Sequence, residues 1–109
     1  MSASATIPVT ITPEAAARVA ELGMQQAVEQ MIEHTRQTVP ALRRIELILE
    51  PPYDTGDDPY LTIQAHTDRP FRREDTTEQE WGMWKITTFA PQIYQHIAMQ
   101  VHYGDYRAG

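Results

Sequence analysis

The sequence predicts a single α+β domain, a two-layer sandwich with helices on one face of a sheet, and three observations predict it. From about Pro13 to Gln37, apolar residues recur at three- and four-residue steps, the period of a helix. The stretches Arg43 to Glu50, Tyr60 to Thr67 and Ile97 to Tyr103 instead alternate apolar and polar residues, the period of a strand. With 109 residues and no cysteine, the chain is long enough for one core, which it must build without disulfides.

The elements follow in order. The first five residues are small and polar and are expected to fray, as are 105–109. Ile7, Val9 and Ile11 give a short strand pattern. Pro8 has no amide donor, so this strand belongs at an edge. Thr12-Pro13-Glu14 is a helix start: a capping hydroxyl, a proline at the first helical position and an acid at the positive end of the dipole. One long helix is expected, with Ala17, Ala20, Met24, Ala27, Val28, Met31 and Thr35 on its buried face. Glu14 and Arg18 are spaced for an i,i+4 pair, Gly23 weakens the middle, and Pro40 ends the pattern.

Arg43 to Glu50 and Tyr60 to Thr67 are expected to form an antiparallel pair. The connection between them, rich in proline, aspartate and glycine, has turn chemistry. Asp75 or Thr76 caps a second, shorter helix with Trp81, Trp84 and Thr88 along one side, and Pro91 opens a further helical turn. The last segment reads as a strand, against a competing helical reading through Ile93, Ile97 and Val101. The expected sheet is therefore three- to four-stranded and mostly antiparallel, and the order βαββαβ is that of the ferredoxin-like arrangement.

Composition excludes several functions. Without cysteine there is no thiolate metal site and no cysteine nucleophile. Net charge is −6, and of nine basic residues only Lys85 is a lysine, which argues against nucleic-acid binding through a basic stripe. The start Met-Ser-Ala-Ser-Ala-Thr has neither the basic nor the apolar region of a secretory leader, and no apolar run approaches a membrane span. A cytoplasmic location is expected, with no cofactor.

Five groups of residues could carry chemistry. Asp54-Thr55-Gly56 matches the catalytic triplet of aspartic proteases, but Pro52-Tyr53 before it, Asp57 after it and the long helix all depart from that family, so a proline-bounded turn is expected. Asp54, Asp57 and Asp58 could attract a cation, although they lack EF-hand spacing. His66 and His102, with Glu46, share the polar sheet face and supply acid-base capacity. His96 would share that face about 20 Å from His102. In a ferredoxin-like sheet the strands of His66 and His102 are not neighbours, which argues against a shared metal ion. Arg69, Arg72 and Arg73 surround Phe71 and could hold an anion, in competition with Glu74, Asp75, Glu78 and Glu80. Trp81 and Trp84 are expected to anchor the core or, failing that, a protein contact.

The runs Leu49-Glu50-Pro51-Pro52-Tyr53-Asp54-Thr55-Gly56-Asp57 and Glu80-Trp81-Gly82-Met83-Trp84-Lys85 resemble a group of small bacterial proteins of unknown function, over most of the chain. The resemblance implies a compact bacterial domain and no catalytic residue. The start Ile11-Thr12-Pro13-Glu14-Ala15-Ala16-Ala17 is similar to A-type iron-sulfur carriers, which need the cysteines this chain lacks.

The function expected from these features is non-enzymatic: a protein-interaction module that self-associates, as in a homodimer, or covers a basic partner as an antitoxin does. The alternative is a small enzyme or ligand-binding domain working through the histidine and glutamate face, and a third reading is anion binding by the arginines.

Overall fold

The computed structural model describes residues 7–51 and 58–104. The elements are β1 (Val9–Ile11), α1 (Pro13–Leu22), α2 (Gln25–Thr38), β2 (Leu42–Glu50), β3 (Tyr60–Thr67), α3 (Thr77–Thr88), α4 (Pro91–Tyr94) and β4 (Ile97–His102). All four strands form one sheet in the order β1-β2-β3-β4.

The expected long helix is two helices. Thr12 caps the first, its hydroxyl accepting from the Ala15 amide at 3.2 Å. Gly23 ends it in the left-handed conformation, φ 67°. There the Gly23 amide reaches the Ala20 carbonyl and the Met24 amide the Val19 carbonyl, which satisfies carbonyls the helix leaves open. Gly23 is thus a helix stop, where the sequence suggested only a weak point. The break rotates the buried stripe, so α1 buries Ala15 and Val19 while Ala17 and Ala20 face solvent. Arg18 accordingly pairs with Glu21 at 2.9 Å rather than with Glu14. In α2 the expected face holds, with Ala27, Val28, Met31 and Thr35 buried.

The sheet differs from the ferredoxin-like expectation in order and in direction. Only β2 and β3 pair antiparallel, while β1–β2 and β3–β4 are parallel. The chain is two βαβ units joined through β2 and β3, with β1 and β4 at the edges. The strand assignments themselves hold, including β4 and the edge position of β1, where Val9 starts the pairing just after the donorless Pro8.

Alternation fixes which side chains meet the helices. Ile45 and Leu47 of β2, Leu61, Ile63 and Ala65 of β3, and Ile97, Met99 and Val101 of β4 are buried on one face. Met24, Val28, Met31 and Trp81 complete the same cluster from the helices. Burying each large aliphatic side chain contributes about 1.5–3 kcal/mol relative to exposure. All the helices therefore lie on one side of the sheet. Strand direction reverses between the two βαβ units while their helices stay on the same face, so the units are of opposite hand, and one of them runs against the right-handed preference of such crossovers.

What joins the helices into one layer is a short polar relay inside the core. The Trp81 indole N–H donates to the Thr35 hydroxyl at 3.0 Å, and that hydroxyl donates to the Met31 carbonyl at 2.7 Å. Trp81 and Thr35 are both fully buried. Next to them, the His34 imidazole lies flat on the Trp84 indole, ring centroids 3.7 Å apart, and Phe89 meets Trp84 edge-on. Burial holds the His34 imidazole below its ordinary value of 6.5.

Two predictions follow from this layer. Thr35→Val keeps the shape but leaves the buried Trp81 N–H without an acceptor, so chemical denaturation should show a loss of about 1–3 kcal/mol; an unchanged midpoint would remove the relay from the account. His34 binds its proton less readily folded than unfolded. Stability therefore rises with pH through the window just below 6.5 and is lost as the pH falls through it. An imidazole titration followed by proton NMR should show the His34 midpoint below 6.5, and stability at pH 5.5 should fall less in His34→Gln than in the unmodified chain.

Candidate functional site on the helix-free sheet face

Among the described residues, no helix lies over the opposite face of the sheet. The same alternation that buries Ile45 and Leu47 turns Arg44, Glu46, Ile48 and Glu50 of β2 to this side. Tyr60, Thr62, Gln64 and His66 of β3 join them, with Ala98, Gln100 and His102 of β4. The centre is weakly apolar: Thr62, lying between its register partners Ile48 and Ala98, is fully buried even without a helix above it. The two ends are charged or titratable.

At one end the predicted residues converge. His66 and His102 are register partners on neighbouring parallel strands, and their rings stack with centroids 4.9 Å apart and planes 17° from parallel. The sequence expectation that their strands lie apart is corrected, because β4 pairs with β3 directly instead of across an intervening strand. Glu46, one diagonal step away on β2, places Oε1 3.0 Å from His66 Nε2. Arg44 brings Nε to 3.9 Å from the other Glu46 oxygen. A carboxylate only accepts, so His66 donates to Glu46 from Nε2. Burial, and then the neighbouring His66, push the His102 imidazole below its ordinary value, against an opposing pull from Glu46 and Glu78.

Beyond the carboxyl end of β4 lies a shallow, open depression of about 440 Å³, lined by Phe71, Val101, His102 and Tyr103. Phe71 meets Tyr103 edge-on at 5.2 Å. Asp75 beside it is almost fully buried. Burial alone would raise its carboxyl, but hydrogen bonds from Thr77 and Tyr103 and the Arg69 charge outweigh that and hold it below 3.8. Burial and the same bond to Asp75 raise the Tyr103 phenol. The Asp75 carboxylate is held by Thr77 and Arg69, while the buried Arg69 Nε has no hydrogen-bond partner among the described residues.

The other candidates do not join the site. Arg69 is committed to Asp75 and Thr77, as the competing acids suggested, while Arg72 and Arg73 are exposed. Trp81 is inside the core and Trp84 is half-buried over His34. His96 precedes β4 and uses its carbonyl to accept from the Leu61 amide. Asp58 is exposed, 3.9 Å from Arg18, and Asp54 and Asp57 lie outside the described residues. Among the described residues, no three histidine, aspartate or glutamate side chains are grouped to hold a metal ion.

Two roles escaped the sequence reading. Glu78 accepts from the Val101 amide at 2.7 Å, and Lys85 donates to the Ile97 carbonyl at 2.6 Å, so both cap the open edge of β4. Burial lowers the Lys85 ammonium below its ordinary value. No helix among the described residues is long and apolar enough to cross a membrane.

The chemistry available among the described residues is that of a stacked imidazole pair with a carboxylate bonded to one of its members. No family model, no curated protein and no solved structure matches the chain.

Proposed function

We propose that this protein is a non-enzymatic interaction module that self-associates through the helix-free face of its sheet. The observation that carries the reading is the centre of that face, where Ile48, Thr62 and Ala98 lie side by side with Tyr60 exposed next to them. A sheet in a two-layer domain ordinarily presents a polar face to water. A weakly apolar strip ringed by charge is the composition of an interface core and rim.

A second copy fits the charges. On β2, Arg44 stands at one end of the face and Glu50 at the other, about 20 Å apart. A two-fold axis lying in the face and perpendicular to β2 would bring each arginine opposite the partner's glutamate, the self-complementarity an isologous interface requires. The acidic balance of −6 supports a rival occupant, a basic protein, whose binding would weaken sharply with salt. Contact through the apolar centre instead persists at 0.5 M salt.

Sedimentation velocity tests this. The chain should sediment as a dimer at tens of micromolar in low and high salt, and Ile48→Asp should return it to monomer while keeping its fold by circular dichroism. A chain that stays monomeric at millimolar concentration would sink the reading. So would a dimer indifferent to Ile48→Asp but dissolved by Met83→Asp with Ile86→Asp, since those two exposed apolar side chains lie on α3.

A further inference from the structure

We infer that His66 and His102 form a binding site for a divalent transition-metal ion of the copper, nickel and zinc class, held by one imidazole nitrogen from each strand, with Glu46 as the outer partner of His66. The two histidines occupy one register position on adjacent parallel strands, on the face that no helix among the described residues covers. Their rings stack nearly parallel, 4.9 Å between centroids. An ion bonded to two imidazole nitrogens at about 2.0–2.1 Å in tetrahedral geometry needs those nitrogens roughly 3.3 Å apart. Reaching that separation requires the two rings to turn about their side-chain torsions from the stack seen here, so that a nitrogen of each points at the ion.

Glu46 adds the feature that distinguishes a ligand from a bystander. Metal-bound histidines usually give their other ring N–H to a carboxylate, which fixes the tautomer and raises the basicity of the ligating nitrogen. His66 already makes that bond, at 3.0 Å. Among the described residues, no third carboxylate or imidazole is grouped with the pair, so they supply two nitrogen ligands. Two imidazoles without a third protein ligand make a site of modest affinity, selective for ions that prefer nitrogen over the oxygen-seeking Mg²⁺ and Ca²⁺. The acidic chain as a whole favours cations.

The test is calorimetric titration of the full chain with Cu²⁺, Ni²⁺, Zn²⁺ and Mg²⁺, with the Cu²⁺ complex read by electron paramagnetic resonance. One ion per chain is expected. Cu²⁺ should bind tightest and Mg²⁺ not at all at this site, and the resonance should carry the coupling of two nitrogens. His66→Ala and His102→Ala should each weaken binding at least about tenfold, Glu46→Gln about 10- to 100-fold, and His96→Ala should change nothing. All three site residues lie on an open face, so circular dichroism should show these variants folded. The same titration on Ile48→Asp separates the site from self-association, because the site is complete within one chain. Binding that survives loss of either histidine, or a resonance showing oxygen ligands only, overturns the inference.

Discussion

The arrangement of this molecule rests on one buried contact, the hydrogen bond from the Trp81 indole to the Thr35 hydroxyl. It fastens α3 to α2, and together with the apolar cluster they share it holds the helices of both βαβ units on the same side of the sheet. Two consequences follow geometrically. One crossover must take the less favoured hand, because the strands reverse direction between the units. The other sheet face must remain without a helical cover. An N–H and a hydroxyl buried in an aliphatic core are costly if unmatched and inexpensive if matched. The pair therefore favours this layering over alternatives that bury the Trp81 N–H away from the Thr35 hydroxyl, which keeps its own bond to the Met31 carbonyl in either case.

Much of the local structure was legible in the sequence because it depends on neighbours in the chain. The alternation in Arg43 to Glu50 and in Tyr60 to Thr67 gave both the strands and their inner faces, and Thr12-Pro13-Glu14 gave the start of α1. The topology was not legible, because strand periodicity is the same whichever neighbour a strand pairs with. The order βαββαβ is compatible with the ferredoxin-like sheet and with the consecutive one seen here. That single ambiguity propagated to the site. The same histidines that a ferredoxin-like order separates become register partners once β4 lies beside β3. Gly23 was visible as a weak point, but a weak helix and a left-handed stop have the same residue, and only the turn it makes distinguishes them.

The candidate site shows a similar division. Glu46, His66 and His102 could be named because alternation assigns each to the polar face. The bond between Glu46 and His66 could not, since it is a diagonal contact set by register. The capping roles of Glu78 and Lys85 were hidden for a related reason. Acids at a helix start and a lysine at its end read as responses to the helix dipole, and here they also serve a neighbouring strand.

Those caps bear on how such a sheet would associate. A sheet can join a second copy edge to edge or face to face, and this one is guarded at its edges. On β4 the outward-pointing groups are those of Ile97, Met99 and Val101, because the alternate residues bond to β3. Lys85 occupies the Ile97 carbonyl and Glu78 the Val101 amide, so an incoming strand would have to displace two charge-assisted hydrogen bonds. On β1 the pairing is only three residues long, Pro8 has no amide hydrogen, and Arg36 donates to the Ile7 carbonyl at 3.3 Å. Neither edge offers a strand-length row of open donors and acceptors. The helix-free face has no such guard at its centre, where the side chains that meet solvent are those of Ile48, Ala98 and Tyr60. Protection at the edges combined with a weakly apolar face directs the proposed association to the face.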